Sequence, residues 1–321
     1  MHACLRLLCL LLCTLTGSAS QAAWPERPIR MIVPYAPGSS PDNICRLLAQ
    51  EMARSLGVNI LIDNRAGASG SVGTEAIAKA AADGYTIGYG NIGTLTTNRF
   101  MIAKLPYDPD RDLTLIGSMG AVQNMLAVNN NLPVKSVRDL IALAKKSPGK
   151  LNVPVGLGSN IHMSTLALQQ RVGAKWTYIP TKGGQSSVMS VMTGDGDFLF
   201  MGVLQTWVHV KSGKLKLIAV SSEAREPMFP QVPTVAETPG LEGFSAGSWQ
   251  GILGPGKMPA DITNKLYNEV KRIVALPDVN EKMTSQGSRP QAKTPQELGA
   301  WLASEKDKWL KVVKESGYKI E

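Results

Sequence analysis

Ile32-Val33-Pro34-Tyr35-Ala36-Pro37-Gly38-Ser39-Ser40-Pro41-Asp42-Asn43 passes from an apolar, strand-like run through a small-residue turn straight into a helical pattern. Ser40 suits the N-cap, and Pro41 suits the first helical position, where a missing N–H costs nothing. Such a turn presents backbone N–H groups and the positive end of a helix dipole to one point in space, which binds an anion without a charged side chain. Asn152-Val153-Pro154-Val155-Gly156-Leu157-Gly158-Ser159-Asn160-Ile161-His162 repeats the arrangement more than a hundred residues later. Two readings stand at this point. Either two lobes each offer a cradle to one small anionic ligand, or these are two routine strand-to-helix turns of an α/β fold.

Outward from these loops, strand-like and helix-like segments alternate, which is the pattern of an α/β fold with mainly parallel sheets. Strands are expected at 29–33, 58–63 and 85–89, with helices at 42–55 and 73–81 between them. Strands at 113–119 and 124–128 mark a passage to a second lobe. There Ser136 caps a helix running to Lys146, and strands at 151–155, 176–179 and 197–201 alternate with helices at 160–172 and 185–192. The run Leu215–Ser221 reads as the strand returning to the first lobe. The expected organisation is thus 23–122 plus 220–260 for one lobe, 123–219 for the other and a ligand cleft between them. Residues 261–321 form C-terminal helices belonging to neither by sequence alone. Their apolar stripe (Leu298, Trp301, Leu302, Trp309, Val312, Val313) is expected to be core.

The first residues point to export. Arg6, the apolar run Leu7–Leu15 and the small-x-small site Ser20-Gln21-Ala22 read as a signal peptide spanning 1–22. Cys9 and Cys13 raise a lipoprotein alternative, against which Leu12 is too bulky for a lipid-transfer site. No later stretch is long and apolar enough for a membrane helix, so the processed chain is expected to be soluble. Cys45 then remains alone on a stripe with Ile44, Leu48 and Met52. It reads as a buried structural thiol, with a nucleophile as the alternative. The full chain carries a net charge of +9, or +8 once Arg6 leaves. Its basic residues are scattered without aromatic interleaving, which argues against nucleic acid as a partner.

Few residues could carry catalysis. Only His162 and His209 follow the signal segment, and they offer no ligand spacing for a metal. Gly156-Leu157-Gly158-Ser159-Asn160 lacks the closing glycine of a nucleophile elbow, although a serine of this loop paired with His162 keeps an exported hydrolase open. The turn Pro37-Gly38-Ser39-Ser40-Pro41 is not G-x-G-x-x-G, no P-loop lysine occurs, and an exported protein seldom meets nucleotides. Further Gly-rich loops follow strands at Asn64–Gly73, at Tyr89–Thr94 and at Lys182-Gly183-Gly184-Gln185. These fall where ligands bind in open α/β sheets. Arg65 could pair with a ligand carboxylate or with Asp63.

Along the whole processed length the chain resembles the substrate-binding receptors of tripartite tricarboxylate transporters, the Bug-type receptors. The resemblance rests on the order and spacing of several short motifs. They include Pro25-x-x-Pro28-Ile29, Val33-Pro34-Tyr35-x-Pro37-Gly38-x-x-x-Asp42, Asp63-Asn64-Arg65-x-Gly67-Ala68 and Asp83-Gly84-Tyr85-Thr86. Leu105-Pro106-Tyr107-Asp108, Lys182-Gly183-Gly184, Gly213-Lys214-Leu215, Val232–Glu237 and the Trp249 segment continue the series.

The resemblance implies a two-lobe, type II periplasmic-binding-protein-like fold with a hinge. Such a receptor binds a small carboxylate and delivers it to a membrane permease. It needs no cofactor or metal, does not catalyse, and is expected to act as a periplasmic monomer. A role as ligand-sensing partner of a signalling protein uses the same closure. The implied ligand-binding residues are Tyr35, Pro37, Gly38, Ser39, Ser40 and Asp42 in the first loop, with Asn91 and Thr94 beside it. Gly156, Gly158, Ser159, Asn160 and His162 form the second loop, joined by Lys182, Gly183 and Met201.

Departures from the family pattern bear on the ligand. Ser39 and Ser40 replace glycines, adding hydroxyl donors. Met201-Gly202 stands where an acidic residue and a polar neighbour are expected, which disfavours a ligand ammonium group. Leu157 replaces a small polar residue and points to an apolar ligand body.

Overall fold

Ile29–Val33 forms β1 of the computed structural model, which describes residues 24–157, 159–181 and 184–316. The expected signal peptide, Gly158, Lys182 and Gly183 lie outside the described residues. Ile29, Met31, Ile32 and Val33 are fully buried because strands pair on both sides of β1, which is why its apolar run barely alternates. Helix α1 (Ser40–Leu56) follows, burying Ile44, Cys45, Leu48, Ala49 and Met52 along one face. Burial pushes the Cys45 thiol up, so it stays protonated as an inert core group. Strand β2 (Ile60–Asn64), helix α2 (Ser71–Ala78) and β3 (Thr86–Asn91) complete a parallel β2-β1-β3 unit. A π-type turn at Gly93–Thr97 and the short α3 (Asn98–Met101) come next.

Strand β4 (Leu113–Val122) ends the first pass through this lobe, and Gln123 leads into β5 (Asn124–Asn129) of the second. There α4 (Val137–Lys146), β6 (Asn152–Val155), α5 (Asn160–Val172) and β7 (Thr177–Pro180) follow in order. Next come α6 (Gly184–Thr193), β8 (Phe198–Gly202), α7 (Val203–Lys211) and β9 (Leu215–Val220). The chain returns through β10 (Ser248–Pro255), α8 (Ala260–Val274), α9 (Pro277–Ser285), the short β11 (Ser288–Pro290) and α10 (Pro295–Ser316).

The first lobe holds one sheet in the order β11-β4-β10-β3-β1-β2, and the second holds β8-β5-β9 and β6-β7. Among the described strands parallel pairing is confined to β2-β1-β3 and β6-β7, with one isolated parallel bridge between Val220 and Thr234. The strands beside the crossings, β10, β4, β5, β8 and β9, pair antiparallel, so each lobe is mixed rather than mainly parallel.

The return to the first lobe also falls later than expected. β9 pairs with β5, and Phe229, Val232, Val235, Leu241 and Phe244 all pack into second-lobe cores. Allegiance changes only between Ala246, whose N–H donates to Ser221 O, and Ser248, which pairs with Val122. The C-terminal helices divide. α8 and α9 bury Leu266, Val270, Ile273 and Met283 in the first-lobe core, whereas α10 packs against both lobes. Its Leu298, Trp309, Val312 and Val313 share a cluster with Ile92 and Leu253 of one lobe and Met163 and Leu166 of the other.

Candidate ligand-binding site

The pairing registers place the two loops. β4 and β10 meet the crossings at Val122 and Ser248, and Gln250 lies opposite Asn91 at the carboxyl end of β3. The carboxyl ends of β1 and β3 therefore share the crossing edge of the first sheet. In the second lobe Asn124 enters opposite Gly202, so the carboxyl end of β8 faces the crossing. Asp197 N–H donates to Asn152 O, aligning the starts of β8 and β6, and the loop after Val155 thus emerges on the same edge. Both loops look onto the space between the lobes, where ligands bind in open α/β sheets.

In the first loop Ser39, and not Ser40, is the N-cap. Its backbone is extended and its Oγ accepts from Asp42 N–H at 3.4 Å. Ser40 is thereby the first helical residue and Pro41 the second. Gly38 makes this possible, with φ of +78° that a side chain would strain. Its N–H donates to Asp42 Oδ2 at 2.8 Å. Asp42 is buried and also holds Arg46 Nε at 2.9 Å and Asn64 Nδ2 at 2.9 Å. Burial opposes its ionisation, but Arg46, Gly38 and Asn64 together hold the carboxyl below its ordinary value. Asn64 Nδ2 also donates to Tyr35 O at 3.1 Å, so one amide fixes both ends of the loop. The first three helical N–H groups have no intrahelical acceptor. Here Pro41 has none and Ser39 takes that of Asp42, which leaves the N–H of Ser40.

Tyr35, Asn91 and Thr94 form the adjoining wall. Asn91 Nδ2 donates to Tyr35 Oη at 2.7 Å, while Thr94 N–H donates to Asn91 Oδ1 and Asn91 N–H to Thr94 Oγ1, each at 3.2 Å. Burial pushes the Tyr35 hydroxyl up to about 12, so it remains a neutral donor. Thr94 is fully buried and orients Asn91 from behind. The third Gly-rich loop closes over Tyr35, with Ala68 and Ser69 held at φ of +44° and +54°. Gly73 lets α2 approach the loop, since a Cβ there would sit 2.7 Å from Pro34 Cα. Arg65 pairs with Asp63 at 2.9 Å, so the structural alternative for this residue is the one observed.

The second loop repeats the cap with different support. Ser159 is extended, and its Oγ accepts from His162 N–H at 3.2 Å. Asn160 and Ile161 are the first two helical residues and both possess an N–H, so this loop keeps two donors where the first keeps one. His162 is fully buried, edge-on to Tyr178 with ring centroids 4.6 Å apart. Desolvation pushes its imidazole down to about 4. It stands as a neutral core group. Ser164 Oγ bonds the carbonyl oxygens of Asn160 and Ala246, tying α5 to the second crossing. Met201 is buried at the end of β8, and a Cβ on Gly184 would lie 3.0 Å from its sulfur. Leu157 is 38% exposed on the rim.

Of the residues expected from sequence, the structure thus gathers Tyr35, Pro37, Gly38, Ser39, Ser40, Asn91 and the buried Asp42 and Thr94 on one side. Gly156, Ser159 and Asn160, with the buried His162 and Met201, stand on the other. Sequence reading missed Arg46 and Asn64, which hold Asp42. Arg46 carried a readable signal, standing four residues after Asp42 on the same helix face.

The family model described as tripartite tricarboxylate transporter family receptor matches residues 44–318. Among curated relatives, "Protein BugT" of Bordetella pertussis is 34% identical over 309 residues, covering 96% of this chain and 94% of that protein. Among solved structures, "R. palustris Rpa4515 with adipate" superposes with a TM-score of 0.84 at 30% identity, covering 92% of this chain and 100% of that one. MatC from Rhodopseudomonas palustris with bound malate gives a TM-score of 0.78 at 30% identity, covering 90% and 100%. With the fold, the facing loops and the match over most of its length in agreement, this chain belongs to the tripartite tricarboxylate transporter receptor family, whose members are periplasmic solute receptors.

Proposed function

We propose that this protein is an exported receptor that closes its two lobes on one small carboxylate and delivers it to a membrane permease. The observation that carries the reading is the pair of serine-capped helix N-termini on facing sheet edges, one at Ser39 and one at Ser159. A carboxylate there would accept N–H groups of Asn160 and Ile161, with Ser40 and the Tyr35 hydroxyl completing its shell from the opposite lobe. Asp42, Thr94 and His162 are buried and act by holding the loops. The solved structures of relatives with adipate and with malate support a dicarboxylate as the first class to test. Met201 and Leu157 supply an apolar wall without a carboxylate, which favours an acid with an uncharged body over an amino acid.

We read the chain as a receptor and not as an enzyme. Ser159 Oγ is engaged by a backbone N–H, Ser164 Oγ by carbonyls, and His162 is sequestered from solvent, which disfavours a hydrolase that pairs a serine of this loop with His162.

The test is calorimetry on protein unfolded and refolded to strip carried-over ligand, titrated with C3–C8 mono- and dicarboxylates. One-to-one saturable binding of at least one acid is expected, with a melting temperature that rises with ligand concentration. Absence of binding across the panel, or turnover of a simple ester lost in His162→Ala, would overturn the reading.

A further inference from the structure

Tyr107 stands outside both loops, yet its hydroxyl acts on the wall of the first. It lies between α3 and β4, is 6% exposed, and packs its ring in the cluster that holds Ile32, Ile92 and Leu95. Its Oη donates to Thr94 O at 2.7 Å, and so pins the π-type turn behind Asn91.

The relay that starts there has one sense only. A backbone N–H can only donate, so Thr94 N–H, 3.2 Å from the Asn91 side chain, faces the carbonyl oxygen Oδ1 of that amide. The other end, Nδ2, then meets Tyr35 Oη at 2.7 Å, and it too can only donate. Tyr35 Oη therefore accepts, and its own proton points away from Asn91. Among the described residues no acceptor takes that proton. A tyrosine free to rotate could accept from an ammonium or a hydroxyl instead, whereas one already accepting from Asn91 is left to give.

Two close approaches hold the relay in register. A Cβ on Gly93 would fall 3.0 Å from Asn91 Oδ1, and one on Gly70 would fall 3.3 Å from Tyr35 Oη, so backbone closes on both groups. The turn at Gly70 is held in its turn by Asn98, which is 1% exposed. Its Nδ2 donates to Ser69 O at 3.1 Å and to Ser71 Oγ at 3.2 Å, across a Ser69 backbone kept at φ of +54°.

We propose that Tyr107 is a positioning residue for the ligand. Through Thr94 and Asn91 it makes the Tyr35 hydroxyl a dedicated donor, so that this wall takes a group that only accepts, an ionised carboxylate. The inference rests on the reading that Tyr35 meets the ligand.

Calorimetry with the C3–C8 dicarboxylates, malonate to suberate, compares the unaltered protein with Tyr35→Phe, Tyr107→Phe and the double variant. Tyr107→Phe keeps the ring and removes only the bond to Thr94 O. Tyr35→Phe should weaken the tightest of these acids by about tenfold or more, as befits a hydrogen bond to a charged group. Tyr107→Phe should weaken it by about three- to tenfold. The double variant should be no weaker than Tyr35→Phe, because both losses run through one hydroxyl. A merely structural Tyr107 would lower the melting temperature with affinity unchanged, or add its own loss in the double variant, and either result overturns the proposal. If Tyr35→Phe weakens binding and Tyr107→Phe does not, this proposal alone falls. If Tyr35→Phe changes nothing, or none of the acids binds, the cleft reading of Tyr35 falls first and takes the proposal with it. Should Tyr107→Phe fail to fold, neutron diffraction from unaltered crystals in heavy water reads the relay itself. Deuterium on Tyr35 Oη directed away from Asn91 supports it, and deuterium directed at Asn91 overturns it.

Discussion

At the third position of its helix the first loop carries Asp42 and the second carries His162, and both side chains are buried beneath a serine cap. Asp42 is ionised and consumes its own loop, drawing in the Gly38 N–H, Arg46 and Asn64. His162 is neutral, donates its backbone N–H to Ser159 and makes no ionic demand on the cradle. One helix N-terminus is thus already partly answered by an internal carboxylate, while the other keeps its dipole and two N–H groups for a ligand. The difference teaches that equal sequence patterns need not be equal sites. Under the proposed function, the second cradle would anchor the anion, and the first would be a preorganised wall that meets it on closure.

The strongest way to break this asymmetry is to give the second cradle a carboxylate of its own. Ser159→Asp keeps a good N-cap, so the fold should survive. Like charges about 4 Å apart repel by about 4 kcal/mol at an effective dielectric of about 20. After screening, affinity for the best acid of the panel should fall by roughly 100-fold or more in calorimetry. Retained affinity would move the anchor to the first loop.

Acidity should separate the two loops next. The His162 imidazole titrates lower in the fold than when exposed. Its contribution is therefore intact above about pH 6.5 and is lost as pH falls towards about 4, by up to about 3 kcal/mol. Asp42, also held below its ordinary value, loses its contribution only at lower pH still. Denaturant melts between pH 7 and 4 should show stability falling with acid, and His162→Phe should flatten that window while leaving the later loss intact. An unchanged slope in the variant would assign the acid response elsewhere.

Asp42→Asn probes the other side of the contrast. It leaves Arg46 and the Gly38 N–H with a weaker acceptor, at a cost of about 1–3 kcal/mol in chemical denaturation. The smallest effect sharpens the pairing. Ser39→Ala and Ser159→Ala should each cost about 1 kcal/mol of stability through the lost cap, yet only Ser159→Ala should weaken binding by more than a few-fold.

Much of this was legible in the sequence, and the gaps have physical reasons. Helices α1, α5 and α10 follow from apolar spacing and their stops, because one buried stripe fixes a helix locally. The lobe that owns β9 could not be read, since Leu215–Val220 is an apolar strand that would suit either sheet and its partner β5 is distant in sequence. The stretch after it holds little regular structure, so only the packing of Phe229 and Phe244 reveals its allegiance. The cap shifted from Ser40 to Ser39 because Gly38 turns with positive φ and Asp42 reaches back to it, a choice between adjacent serines that composition does not make. Burial of His162 was equally invisible, because it depends on Tyr178 closing over it from β7.

The most direct test of the central claim is a crystal structure of the protein with the tightest-binding acid from the titrations. The account predicts one ligand between the lobes, a carboxylate oxygen about 3 Å from the Asn160 and Ile161 backbone nitrogens, and the Tyr35–Ser40 wall closed against the same molecule. A ligand held by the first loop alone, or lying away from both helix N-termini, would contradict it.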